Sequence, residues 1–107
     1  MRILVTGCNS FLGQEISNSF LAEKHDLILA DRKVLDVSSE LAVDSFFVNN
    51  QIDIVIHTAI KGGRRNRTDT VADFTNNIKM FNNLFNNSNK YRLMFNFGSG
   101  AEFNRVY

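Results

Sequence analysis

The sequence has a single cysteine, no proline and no excess of charge of either sign. Each absence removes a class of protein. One thiol, Cys8, cannot build an internal disulfide framework, and its free state fits a reducing cytoplasm. The 12 Lys and Arg are offset by 11 Asp and Glu, which leaves no basic surplus for nucleic acid or an anionic membrane surface. No apolar run approaches the ~20 residues of a membrane span, and the start lacks a basic-then-apolar leader. No metal-ligand set is expected. The missing proline, beside abundant asparagine, is compositional drift without functional content. What remains is an ordinary globular composition, 44% apolar over 107 residues. That length makes one domain, residues 1–107, able to bury roughly two-thirds of its unfolded surface.

The chemistry concentrates at the start. Arg2 to Thr6 reads as a short strand, and its run of Ile3, Leu4 and Val5 suits burial on both faces. A tight loop, Gly7-Cys8-Asn9-Ser10, then opens into a helix with Leu12, Ile16 and Phe20 on one face. A strand that turns through glycine into a helix makes an anion site. Free backbone N–H groups and the positive end of the helix dipole converge there on a phosphate.

Gly7 can make the sharp turn, where a side chain at positive φ would cost about 1–2 kcal/mol. Gly13, inside the first helical turns, lets helix and strand approach closely. The middle glycine of the pattern TGxxGxxG is replaced by Ser10, whose hydroxyl can cap the helix, donate to a pyrophosphate or push it outward. The stretch resembles the dinucleotide cradle of a Rossmann-type domain. An ordinary strand-to-helix turn is the alternative. Cys8 reads as a small side chain tolerated in the turn, although its oxidation there would obstruct a cofactor.

The rest of the chain alternates strand and helix. Asp26 to Ala30 reads as a second strand ending at Asp31-Arg32, the place that faces an adenosine ribose in dinucleotide folds. An acid there accepts from the ribose hydroxyls of NAD, whereas an arginine pairs with the extra phosphate of NADP. Both residue types are present, so the choice stays open, and Asp31 can also simply start a turn. Lys33 to Val37 reads as a short edge strand, with Asp36 and Val37 where an adenine ring would be held. Ser38 is a good N-cap, Glu40 suits the first turn, and the helix through Phe46 and Phe47 ends at Asn49-Asn50-Gln51. Ile52 to His57 gives another buried strand, left through Thr58-Ala59-Ile60.

The loop from Lys61 to Arg67 carries four cations and two glycines at the end of a central strand. It suits the diphosphate of a nucleotide sugar, or is a solvated basic loop with no ligand. With a balanced net charge and no aromatic platform, nucleic acid is not its expected partner. Residues 68–89 show the clearest helix. Val71, Phe74, Ile78, Phe81 and Phe85 form one stripe, expected to pack in the core, with Asn77 and Asn83 beside it. A last strand, Arg92 to Phe97, leads into Gly98-Ser99-Gly100. Strands this far apart predict an α/β fold, a doubly wound parallel sheet in the order 3-2-1-4-5 with right-handed crossovers.

The segments ILVTGCNSFLGQ, LDVSS, DIVIHTAIKGG, the helix from Asn77 to Leu84, and FNFGSGAEF span nearly the whole chain. In their order and spacing the sequence resembles the N-terminal part of an extended short-chain dehydrogenase/reductase. More narrowly, it resembles the NAD-dependent epimerase/dehydratase family, near GDP-fucose synthases and dTDP-dehydrorhamnose reductases. The resemblance implies NADP or NAD as cofactor, a nucleotide-sugar substrate and hydride transfer between them. It puts Gly7, Ser10 and Gly13, with Phe11 and Leu12 between them, on the pyrophosphate. Asp31 or Arg32 comes to the adenosine ribose, and Asp36 and Val37 to adenine. His57, Thr58 and Ala59 would form the wall beside the nicotinamide ribose. Ser99 matches the active-site serine that holds the sugar's reacting oxygen; without that role it is a turn residue.

The family pattern continues with a Tyr-x-x-x-Lys pair, which this sequence lacks. Tyr107 lies too close to Ser99 to be its tyrosine. The substrate domain and the sixth strand are missing as well. The expectation is therefore a fragment of a longer enzyme, inactive alone, or else a non-catalytic nucleotide-binding or interaction module. Self-association to a homo-oligomer is also expected, because the last strand lacks a neighbour and apolar faces stay uncovered.

Overall fold

β1 (Arg2–Thr6) is an interior strand of a parallel sheet, and its buried Ile3, Leu4 and Val5 point alternately into both helical layers. The computed structural model describes residues 1–19, 21–59 and 70–97. Around β1 run α1 (Phe11–Ser17), α2 (Leu21–Lys24), β2 (Asp26–Ala30), α3 (Glu40–Asn49), β3 (Ile54–His57), α4 (Val71–Phe85) and β4 (Leu93–Asn96). The four strands lie in the order β2-β1-β3-β4, all parallel. Register aligns Thr6 with Ala30 and with His57, so the carboxyl ends of β1, β2 and β3 form one rim.

Period-two alternation assigns the two layers. Leu4 and Val55 pack with Val43 and Phe47 of α3 and with Met80 and Leu84 of α4. Ile3, Val5 and Ile56 face the other way, against Ile16 of α1 and Leu21 of α2. Each fully buried Leu or Val contributes about 1.5–3 kcal/mol relative to exposure. Among the described residues no helix is long and apolar enough to cross a membrane.

Four expectations are corrected. Lys33 to Val37 is no strand: the Asp31 carboxylate accepts from the amides of Lys33 and Val34, each at 2.9 Å, and folds the backbone into a turn. Leu35 and Val37 are instead anchors in the core. The sheet thus has four strands among the described residues, and the expected order loses its outer third strand. Ser39, not Ser38, caps α3 by accepting from the Ala42 amide, while the Ser38 hydroxyl donates to Asp36 Oδ1 at 2.6 Å.

The fourth correction concerns α4, whose apolar stripe faces out: Val71 is 83% exposed, Phe74 48% and Ile78 47%. Its buried side is Asp73, Met80, Asn83 and Leu84. Polar residues can lie inward because they are bonded: Asn83 Nδ2 donates to the Val37 carbonyl at 2.8 Å, and Asn87 Nδ2 to Asp44 Oδ1 at 2.9 Å. The helix is also longer in expectation than in fact. It starts at a capping box made by Thr70 and Asp73 and ends at Phe85. Phe20, the basic loop from Lys61 to Arg67 and Ser99 lie outside the described residues.

Candidate dinucleotide site

The loop after β1 is built on two glycines that admit no side chain. Gly7 has φ +64°, and a Cβ there would lie 2.6 Å from the Ala59 nitrogen and 2.8 Å from the Thr58 carbonyl carbon. A Cβ on Gly13 would collide with the Gly7 carbonyl oxygen and lie 2.8 Å from the Cys8 Cα. β1, the loop, α1 and the exit of β3 therefore meet backbone to backbone. Ser10 caps α1, its Oγ accepting from the Gly13 amide at 3.0 Å and its carbonyl from the Gln14 amide at 2.9 Å. The amides of Phe11 and Leu12 have no acceptor among the described residues, as expected for the first turn of a helix. They are open donors at the start of α1.

A buried polar lattice supports the loop from below. The Thr58 hydroxyl donates to the Thr6 carbonyl at 2.6 Å, with the Gly7 carbonyl at 3.1 Å, and lies 3.2 Å from Ser10 Oγ. Thr6 Oγ1 accepts from the amides of Thr58 and Ala59, at 3.2 and 3.3 Å, and lies 2.6 Å from His57 Nδ1. Burial pushes the His57 pKa down to about 4, so the ring is neutral at physiological pH. Burial, then the nearby Asp31 charge, raises the Cys8 thiol above its ordinary value, which keeps it protonated and weakly nucleophilic.

Beside the loop lies an open cavity of about 310 Å³. It is lined by Gly7 and Ser10 from the loop, Asp31 and Arg32 after β2, Asp36 and Val37 before α3, and Ala59 after β3. Seven residues read from the sequence as cofactor contacts thus converge on one space. Phe11, Leu12, Gly13, His57 and Thr58 do not line it: the side chains of the first two are exposed on α1, and the last three residues are buried. Asp36 Oδ1 accepts from the Ser38 amide at 3.1 Å, which tightens the turn before α3. Arg32 is exposed and makes no ion pair among the described residues.

Sequence reasoning missed Asn9, Ala30, Leu35, Ser38 and Met80, which also line the cavity. For Met80 a signal was present. Met80, Asn83, Leu84 and Asn87 recur at helical spacing, and that set, not the phenylalanine stripe, is the face turned inward. Among the described residues no group of three or more His, Cys, Asp or Glu is placed to hold a metal.

Residues 3–106 match the sequence model of the NAD dependent epimerase/dehydratase family. No curated protein matches the chain. Among solved structures, a GDP-6-OMe-4-keto-L-xylo-heptose reductase from Campylobacter jejuni is 28% identical with a TM-score of 0.80; the match covers 92% of this chain and 30% of that one. A GDP-mannoheptose C4 reductase from the same organism, solved with NADP bound, is 28% identical with a TM-score of 0.81, over 92% of this chain and 33% of that one. A GDP-L-fucose synthetase from Naegleria fowleri is 25% identical with a TM-score of 0.67, over 81% and 26%. The chain therefore spans about a third or less of the length of these relatives.

Proposed function

This chain belongs to the NAD-dependent epimerase/dehydratase family, and on that premise we propose that it forms the NADP(H)-binding part of a reductase acting on a nucleotide sugar. The observation that carries the reading is the cavity bounded by the glycine loop on one side and the Asp31-to-Ser38 turn on the other. Its volume falls at the low end of the range of about 300–1,000 Å³ for small-molecule sites. It opens at the carboxyl rim of an interior strand, where open α/β sheets bind ligands. The residues fit a dinucleotide: the backbone of Gly7 and Gly13 comes close where side chains would block it, and two amides are open.

The chain's own groups have distinct tasks. Phe11 and Leu12 amides receive the pyrophosphate, and Gly7, Ser10 and Gly13 shape the loop around it. Asp36, Val37 and Leu35 hold the adenine side. Asp31 spends one carboxylate oxygen on the turn amides and keeps the rim in place. Arg32, with no protein partner among the described residues, pairs with the extra phosphate of NADP, which favours NADP over NAD. Ala59 lines the cavity, and the adjoining His57 and Thr58 are buried. When bound, the dinucleotide supplies a hydride to the sugar. Ser99, by its place in the family motif, holds the reacting oxygen of the substrate. The free Cys8 thiol suits a reducing, cytoplasmic setting.

Calorimetric titration of the 107-residue chain with NADPH and NADH tests this. Saturable binding is expected, tighter for NADPH, with the preference lost in Arg32→Ala. Flat titrations with both cofactors overturn the nucleotide-binding reading. A preference that survives in Arg32→Ala removes Arg32 from the phosphate site.

A further inference from the structure

We propose that Thr58 is a positioning residue for the cofactor loop and acts through Ser10, the two hydroxyls working as a unit. The proposal rests on the reading that this loop receives the pyrophosphate of a dinucleotide. Ser10 stands where the TGxxGxxG pattern has glycine, so its hydroxyl must be accommodated somewhere. Its partners are within the loop and at the exit of β3. Ser10 Oγ accepts from the Gly13 amide at 3.0 Å and lies 3.2 Å from Thr58 Oγ1.

The direction of that second bond follows from counting hydrogens. A threonine hydroxyl has one, and Thr58 directs it to the Thr6 carbonyl at 2.6 Å. Ser10 is therefore the donor to Thr58. A one-way chain results, from the Gly13 N–H to Ser10, from Ser10 to Thr58, and from Thr58 to the end of β1. With its hydrogen committed, Ser10 has none to offer a phosphate, and its contribution is to fix the loop. Thr58 is 4% exposed and does not line the cavity, so it can reach the cofactor only through Ser10 and the loop. Without the Thr58 oxygen, the Ser10 hydroxyl loses its acceptor, and the loop loses the link that ties it to the end of β1.

A double-mutant cycle of Thr58→Val and Ser10→Gly, read by NADPH binding to the full chain, tests the coupling. Adenosine 2′-monophosphate, which has no diphosphate, serves as the second probe. Thr58→Val is expected to weaken NADPH about five-fold when Ser10 is present and less than about two-fold when position 10 is glycine. Affinity for adenosine 2′-monophosphate is expected to stay unchanged, and Thr58→Ser to restore NADPH binding. An equal loss in both backgrounds, no loss at all, or a matching loss for the monophosphate overturns the proposal. Should Thr58→Val fail to fold, Ser10→Ala carries the test: it must weaken NADPH by a similar factor and spare the monophosphate, and unchanged NADPH binding overturns the coupling. Absence of NADPH binding by the unmodified chain overturns the underlying reading instead, and this proposal with it.

Discussion

The Thr6 hydroxyl and the His57 ring, on adjacent strands at the same register, lie 2.6 Å apart at Oγ1 and Nδ1. Thr6 Oγ1 accepts from the amides of Thr58 and Ala59, so its hydrogen points to His57. Nδ1 is thus an acceptor, and the neutral ring carries its proton on Nε2. Protonating Nδ1 would set two donors against each other in a buried site.

Stability should therefore depend on pH through His57. Its pKa falls from the ordinary 6.5 to about 4 on folding. The unfolded chain binds the extra proton first, so stability is fully present above pH ~6.5 and declines as pH falls toward 4. Between pH 7 and pH 4 the loss from this group is about 3 kcal/mol. Urea unfolding across that range should show it, and His57→Asn, whose carbonyl oxygen can accept from Thr6 without titrating, should flatten the difference. Parallel pH profiles for the two proteins would remove His57 from the account.

Gly7→Ala should damage both folding and cofactor binding. The substitution meets a positive φ and backbone atoms of Thr58 and Ala59 closer than 3 Å, which a flexible side chain could have yielded but backbone cannot. The expected loss is about 2–4 kcal/mol. Thermal unfolding measures it, and a variant as stable as the parent would mean the loop can shift at no cost.

Much of the fold was legible because apolar runs and glycine turns act locally. Ile3 to Val5, the Gly7 turn and the Asp26-to-Ala30 strand sit where their residue types predict. The errors at Lys33 to Val37 and in α4 share one cause, side chains that bond to backbone and so override periodicity. The Asp31 carboxylate converts Lys33 to Val37 from strand to turn by taking two amides. The amides of Asn83 and Asn87 let α4 bury a polar face, which no hydrophobic period can signal. In the site, residue types gave the glycine loop and the Asp31–Arg32 rim. Met80 is legible only in the spacing it shares with Asn83, Leu84 and Asn87, a mixed polar and apolar face that the phenylalanine stripe outweighs.

That outward stripe yields a paired prediction. Ile78→Ser removes a half-exposed side chain and should cost less than about 1 kcal/mol, whereas Leu84→Ala, fully buried, should cost about 2–5 kcal/mol. Phe81 and Phe85 stack with ring centroids 5.8 Å apart, extending the apolar surface along α4. Surfaces of this kind associate. Sedimentation velocity should show concentration-dependent self-association that Phe74→Ser with Ile78→Ser reduces. Similar costs for Ile78→Ser and Leu84→Ala would return the stripe to the core.

Asn83 links the helix layer to the cavity. Its Nδ2 donates to the Val37 carbonyl at 2.8 Å, and Val37 and Asp36 line the cavity. Asn83→Leu keeps the volume but leaves that carbonyl buried without a donor, a cost of about 1–3 kcal/mol in stability. The wall it held would loosen on the adenosine side only. Binding of both NADPH and adenosine 2′-monophosphate should then weaken, by roughly five-fold for about 1 kcal/mol. Thr58→Val, acting through the glycine loop, is expected to spare the monophosphate. Equal behaviour of the two variants toward the monophosphate would mean that the walls do not act separately, and that the cavity responds to any loss of stability as a single body.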